Sequence, residues 1–130
     1  MVGVAWCPSS FGFMGEYDHK AIYAALDVKV RNVTPERSLG ASIKEKSVGG
    51  LLCTETLIIS PGNVPSYECR YTADVDDEAI YAALAVEVVD ITRGYGAQQL
   101  LKSVGGFGCT RTLVVYPNAK PTYRCEFVMQ

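Results

Sequence analysis

The chain states one pattern twice, and each statement carries its own pair of cysteines. Residues 18–34, DHKAIYAALDVKVRNVT, return as DDEAIYAALAVEVVDIT, and residues 40–71 return from position 96 with KSVGG, Cys-Thr and two prolines in place. About half of the aligned positions are identical. Numbering rises by 58 from Asp18 to Asp76 but by 56 from Cys53 to Cys109, so the second copy lacks two residues between Thr34 and Gly40. A unit of roughly 50 residues is too small for a comfortable core of its own. Two such units gain by sharing a core or by being stapled. The expectation is one pseudo-twofold domain over residues 1–130, with an N-terminal extension (1–17), repeat 1 (18–71) and repeat 2 (76–127). Residues 72–75 are all that separates the copies, which favours tight packing over beads on a string.

Each copy holds two cysteines 16 apart, Cys53 with Cys69 and Cys109 with Cys125. That spacing fits neither the close ligand pairs of a zinc finger nor a Cys-x-x-Cys redox motif. One structural disulfide per repeat is expected, which places the protein in an oxidising compartment, secreted or periplasmic. Reduced cysteines buried in a cytosolic core are the competing reading. Cys7 stands outside the scheme as a buried residue, a free thiol or an intermolecular partner. Trp6 before it does not suit a lipoprotein cleavage site, and the chain reads as a mature segment.

Within a repeat, Asp18 and Asp76 suit helix N-caps. AIYAAL follows, rich in good helix formers, with Ala21, Ile22, Ala25 and Leu26 on one stripe and Ala79, Ile80, Ala83 and Leu84 repeating it. β-branched residues after each helix mark a short strand or an extended connector. ASIKEKSV alternates as a strand does, whereas AQQLLKSV does not and is compatible with helix. Gly49-Gly50 and Gly105-Gly106 mark turns or bulges. Residues 51–60 and 107–116 are strand-like, and Tyr67, Cys69 and Tyr71 alternate with Glu68 and Arg70. Pro61-Gly62 and Pro117-Asn118 suit the centre of a β-turn, and a hairpin there sets Cys53 opposite Cys69. Pairing across the pseudo-twofold, Cys53 with Cys109 and Cys69 with Cys125, remains open. The fold class expected is α+β: an antiparallel sheet of about six strands with two short helices on one face. The apolar extension, with Trp6, Phe11, Phe13, Met14 and Tyr17, is expected to cover a core edge or add a strand.

Net charge is −2 with both signs interspersed, which argues against a nucleic-acid partner. No apolar run reaches the roughly 18 residues of a membrane span. Catalytic inventory is thin. There is one histidine, His19, and no nucleophile–base set can be assembled around it. Asp74, Asp76, Asp77 and Glu78 cluster without the order of a calcium loop and read as helix-capping charge. KSVGG lacks the leading glycine of a phosphate loop. Asn32-Val33-Thr34 is a glycosylation sequon followed by Pro35. No enzyme, cofactor or metal site is expected.

The candidate binding surface is the pair of proline-containing hairpin loops: Pro61, Asn63, Pro65 and Tyr67 in the first copy, and Tyr116, Pro117, Asn118, Lys120 and Tyr123 in the second. Rigid loops carry less ordering entropy into a complex, and tyrosines suit interfaces. Tandem α+β units with one disulfide each are similar in outline to bacterial secreted inhibitors of the β-lactamase inhibitory protein kind. None of that family's motifs occurs here, so the likeness is architectural. The function expected is a secreted or periplasmic binding module with a protein partner, an inhibitor in its narrower form, as monomer or homodimer. The alternative is a self-assembling structural component of the cell envelope.

Overall fold

A computed structural model describes residues 17–37, 40–59, 61–72 and 74–128. Cys7 and the expected docking of the extension lie outside them, except at Tyr17. In chain order the elements are α1 (His19–Ala25), β1 (Arg31–Asn32), β2 (Ala41–Val48), β3 (Leu51–Ile58), β4 (Ser66–Tyr71), α2 (Asp77–Ala83), β5 (Val89–Asp90), β6 (Ala97–Val104), β7 (Phe107–Val114) and β8 (Thr122–Phe127). The fold is α+β. The expected single sheet of about six strands is not what forms. There are two antiparallel four-stranded sheets, ordered β1-β2-β3-β4 and β5-β6-β7-β8. The two helices do not share one sheet face either: α1 packs on β3 and β4, and α2 on β7 and β8.

The helices are short because their signals are short. Asp18 accepts a hydrogen bond from the Ala21 N–H at 3.0 Å, and Asp76 accepts one from the Ala79 N–H at 3.2 Å. Each helix has 7 residues, below the length that holds itself in water. Its far end is therefore tied down from outside. Lys46 Nζ donates to the Tyr23 carbonyl at 2.8 Å and lies 4.5 Å from that tyrosine's ring centre. Lys102 does the same to Tyr81, at 2.9 and 4.4 Å. The carbonyls of Ala25 and Ala83 accept from the other unit: Ala85 N–H donates to Ala25 and Asp27 N–H to Ala83, both at 2.8 Å. Leu26 and Leu84 pair across this junction as an isolated antiparallel bridge.

The long strands follow the alternation of their sequences. Residues on the inner face of the first sheet include Leu51, Cys53, Cys69 and Tyr71; Phe107, Cys109, Cys125 and Phe127 hold the same places in the second. AQQLLKSV is strand β6, paired with β7 over its whole length. Cross-strand packing overrides its weak local preference. Gly49-Gly50 and Gly105-Gly106 are two-residue hairpin turns with φ between +55° and +87°, a conformation that glycine enters freely. The connector yields β1 and β5, just 2 residues each. They are held by a clamp: Thr34 Oγ1 accepts from the Ile43 N–H at 2.8 Å, and Thr92 Oγ1 from the Gln99 N–H at 3.0 Å. The Asn32 and Asp90 side chains each accept from the backbone N–H two residues on, at 3.0 and 2.9 Å. The sequon at Asn32 thus coincides with a structural turn that the second unit makes with aspartate.

Buried residues from both halves form a single cluster: Ile22, Leu26, Leu51 and the Cys53–Cys69 pair from one, Ile80, Leu84, Phe107 and the Cys109–Cys125 pair from the other. The two turns complete the junction. Asp76 N–H donates to the Gly49 carbonyl at 2.8 Å and Asp18 N–H to the Gly105 carbonyl at 2.9 Å, so each unit's turn holds the start of the other's helix.

Candidate functional site

Two disulfides join strands face to face. Cys53–Cys69 bridges β3 to β4 and Cys109–Cys125 bridges β7 to β8, each over a sequence separation of 16 and a Cα–Cα distance of 4.0 Å. Pairing is within each hairpin, not across the junction. All four cysteines lie in the core, under the helices. Beyond the disulfides each hairpin runs out of cover. Ile58, Ile59 and Val64 are exposed at the first tip, Val64 to 81%. Val114, Val115 and Tyr116 are exposed at the second, Tyr116 to 74%. Neither tip offers a polar reason for so much apolar surface.

The first tip turns at Pro61 and Gly62, the latter at φ +79° with open space where a Cβ would stand. Asn63 Nδ2 donates to the Ile58 carbonyl at 3.4 Å, closing the turn on its own strand. Leu57, Ile58, Ile59, Pro61 and Asn63 border a shallow groove of about 390 Å³. The second tip turns at Pro117 and Asn118, with Asn118 at φ +65°, and Ala119 N–H donates to the Tyr116 carbonyl at 3.2 Å. Lys120 is exposed beside it, and Pro65 and Pro121 are half-buried where the returning strands begin.

Two of the expected loop residues belong elsewhere. The Tyr67 ring packs 5.3 Å from Tyr23 of α1, and its hydroxyl donates to Glu55 Oε2 at 2.6 Å. That hydrogen bond, then burial, pushes its phenol up to about 12. The Tyr123 ring packs 5.3 Å from Tyr81 of α2, and its hydroxyl accepts from Arg111 Nε at 3.2 Å. Both tyrosines are spacers between helix and sheet. Pro61, Asn63, Tyr116, Pro117, Asn118 and Lys120 do stand at the tips. Ile58, Ile59, Val64 and Val115 join them and were missed: Ile58, Ile59 and Val115 fall in stretches that read as strand and so as core, and Val64 stands in the turn segment between the prolines.

His19 is half-buried against the edge of β4. Its Nδ1 accepts from the Cys69 N–H at 2.9 Å, so its ring engages the sheet edge next to the disulfide. Its counterpart Asp77 lies at the matching edge of β8 with a buried, unpartnered Oδ1. Among the described residues no group of three His, Cys, Asp or Glu side chains is placed to hold a metal ion. No helix there is long and apolar enough to cross a membrane. Comparison with protein-family models, with curated proteins and with solved structures finds no match to this chain.

Proposed function

We propose that the protein is a disulfide-stapled binding module that works outside the cytoplasm, and that a protein partner docks on its two hairpin tips. The carrying observation is the apolar surface at those tips, Ile58, Ile59 and Val64 on one and Val114, Val115 and Tyr116 on the other. Each tip extends from a strand pair already fixed by its disulfide and its proline-containing turn, so little ordering is left to do on binding. Aromatic and β-branched side chains at an exposed rigid tip are the kind of residue that anchors an interface. Two intact disulfides favour an oxidising compartment. The two units, with matching element order and reciprocal junction bonds, read as pseudo-twofold copies of one ancestral piece. No catalytic step is part of this reading: the single histidine holds a backbone N–H of the sheet edge.

The same surface supports a second reading, self-assembly through the tips into a structural array. Ile59→Lys and Tyr116→Lys, alone and together, separate the possibilities against an Ala24→Lys control on exposed helix surface. A native extracytoplasmic protein that binds the wild type and the control but not the tip variants is the expected result. Concentration-dependent oligomers in light scattering, lost in the tip variants, would establish self-assembly instead. Retention of every partner by the double variant would remove the tips from consideration.

A further inference from the structure

A second concave surface lies away from the tips, at the free edge of β4. It is a cleft of about 400 Å³ lined by Tyr17, His19, Cys69, Arg70, Tyr71 and Phe127. Its walls are aromatic and fixed. Tyr17 meets Phe127 edge-on at 5.1 Å, and Phe127 meets Tyr71 at 5.4 Å. Phe127 leans on the buried Phe107 at 4.8 Å, and the Tyr71 hydroxyl donates to the Cys125 carbonyl at 2.7 Å. An apolar ring entering the cleft meets edges and faces that need not rearrange.

Two of the residues lining the cleft, His19 and Arg70, carry side-chain donors. With Nδ1 accepting from the Cys69 N–H, the N–H of the neutral His19 ring is the one on Nε2. Arg70 is exposed and forms no ion pair among the described residues, whereas on β8 the charges Arg124 and Glu126 are paired at 3.3 Å. Among the described residues no carboxylate lines the cleft. Tyr71 adds no negative charge, because burial, then Asp77 and Glu126, push its phenol up to about 12. The second unit carries the opposite chemistry at the matching places, Asp77 for His19 and Glu126 for Arg70.

We propose that this cleft binds a small aryl carboxylate, one molecule per chain, with the ring between Tyr17, Tyr71 and Phe127 and the carboxylate on Arg70 and His19. A planar guanidinium with a neighbouring N–H matches a carboxylate better than a single lysine would. The site stands apart from the hairpin tips and does not depend on their role. The test is a titration of the full-length ¹⁵N-labelled protein with sodium phenylacetate, with benzyl alcohol as the uncharged comparison. Saturable shifts of the Cys69, Arg70 and Phe127 amides, with one site per chain, are expected. Arg70→Gln, an exposed change that leaves the fold in place, should weaken phenylacetate about tenfold and benzyl alcohol hardly at all. His19→Asn, which keeps an acceptor for Cys69 but loses the Nε2 donor, should weaken it less. Shifts that grow linearly with phenylacetate, equal binding of benzyl alcohol, or binding indifferent to Arg70→Gln would overturn the proposal.

Discussion

Two glycines with similar backbones have different jobs. Gly49 and Gly62 both sit at positive φ, +55° and +79°. A Cβ on Gly62 meets nothing, whereas one on Gly49 would stand 2.5 Å from the Asp76 carbonyl oxygen, and one on Gly105 the same distance from that of Asp18. Gly62→Ala should cost about 1–2 kcal/mol, the conformational cost alone. Gly49→Ala and Gly105→Ala should each cost about 3 kcal/mol or more, since backbone must move at the junction. Urea midpoints compare the three directly. The repeated KSVGG showed a turn in the sequence, but not that the turn is a latch on the other unit. Nothing local in five residues names a neighbour as far along the chain as Asp76 is from Gly49. Tyr71 gives a second prediction. Its native phenol titrates near 12 against 10 for the ordinary group, so the folded chain keeps a proton that the unfolded chain releases. Its contribution is complete below pH 10 and is lost as pH rises through 12. Stability should fall across that interval, and Tyr71→Phe should flatten the fall in alkaline urea titrations.

Among the elements, the hairpins were the part most open to reading. Alternation fixes which residues share a face, and a Pro-Gly turn fixes register, so Cys53 opposite Cys69 followed from numbering alone. What alternation cannot specify is the next strand over. A strand that presents one face to a helix has the same pattern whether its outer edge meets another strand or a side chain. Here the outer edge of β4 gives its Cys69 N–H to His19, and that of β8 receives the Tyr71 hydroxyl at Cys125, so neither edge continues into a larger sheet. β1 and β5 could be expected only as a short strand or an extended connector, because two residues cannot show a period. Each disulfide closes a loop of 16 positions, for which chain entropy gives about 3 kcal/mol. Replacing Cys53 and Cys69 together by alanine should lower unfolding free energy by about 2–4 kcal/mol. The matching pair, Cys109 and Cys125, closes a loop of the same length and should cost a similar amount. A much smaller loss in either pair would mean that its hairpin is held by other contacts.

At the level of the whole molecule, each unit finishes the other. Helix starts are held by the partner turn and helix ends by the partner chain segment, through four backbone hydrogen bonds between 2.8 and 2.9 Å. The two halves show the same order of elements, and one buried cluster draws on both. The candidate site was legible in its prolines and in Tyr116, but not in Ile58, Ile59 and Val64, whose exposure depends on where the helices stop. The cleft at His19 was not legible, since its walls come from Tyr17, β4 and β8 and meet through the junction. That junction also brings together two points far apart along the chain. Thr72 N–H donates to the Gly50 carbonyl and Val128 N–H to the Gly106 carbonyl, both at 2.7 Å. Tyr17 and Val128 both reach the same spot beside Gly106, where a Cβ would lie 2.7 Å from Tyr17 Cδ1 and 3.7 Å from the Val128 oxygen. At the corresponding place between β4 and α2, only residues 73 and 74 separate Thr72 from Val75. A chain sealed between residues 128 and 17 by a linker of that length, and cut open between residues 73 and 74, should therefore fold to the same pair of sheets with the same disulfides, as its amide spectrum and disulfide map would show. The order in which the two halves are synthesised is then a convention of the gene, and the fold itself is a ring.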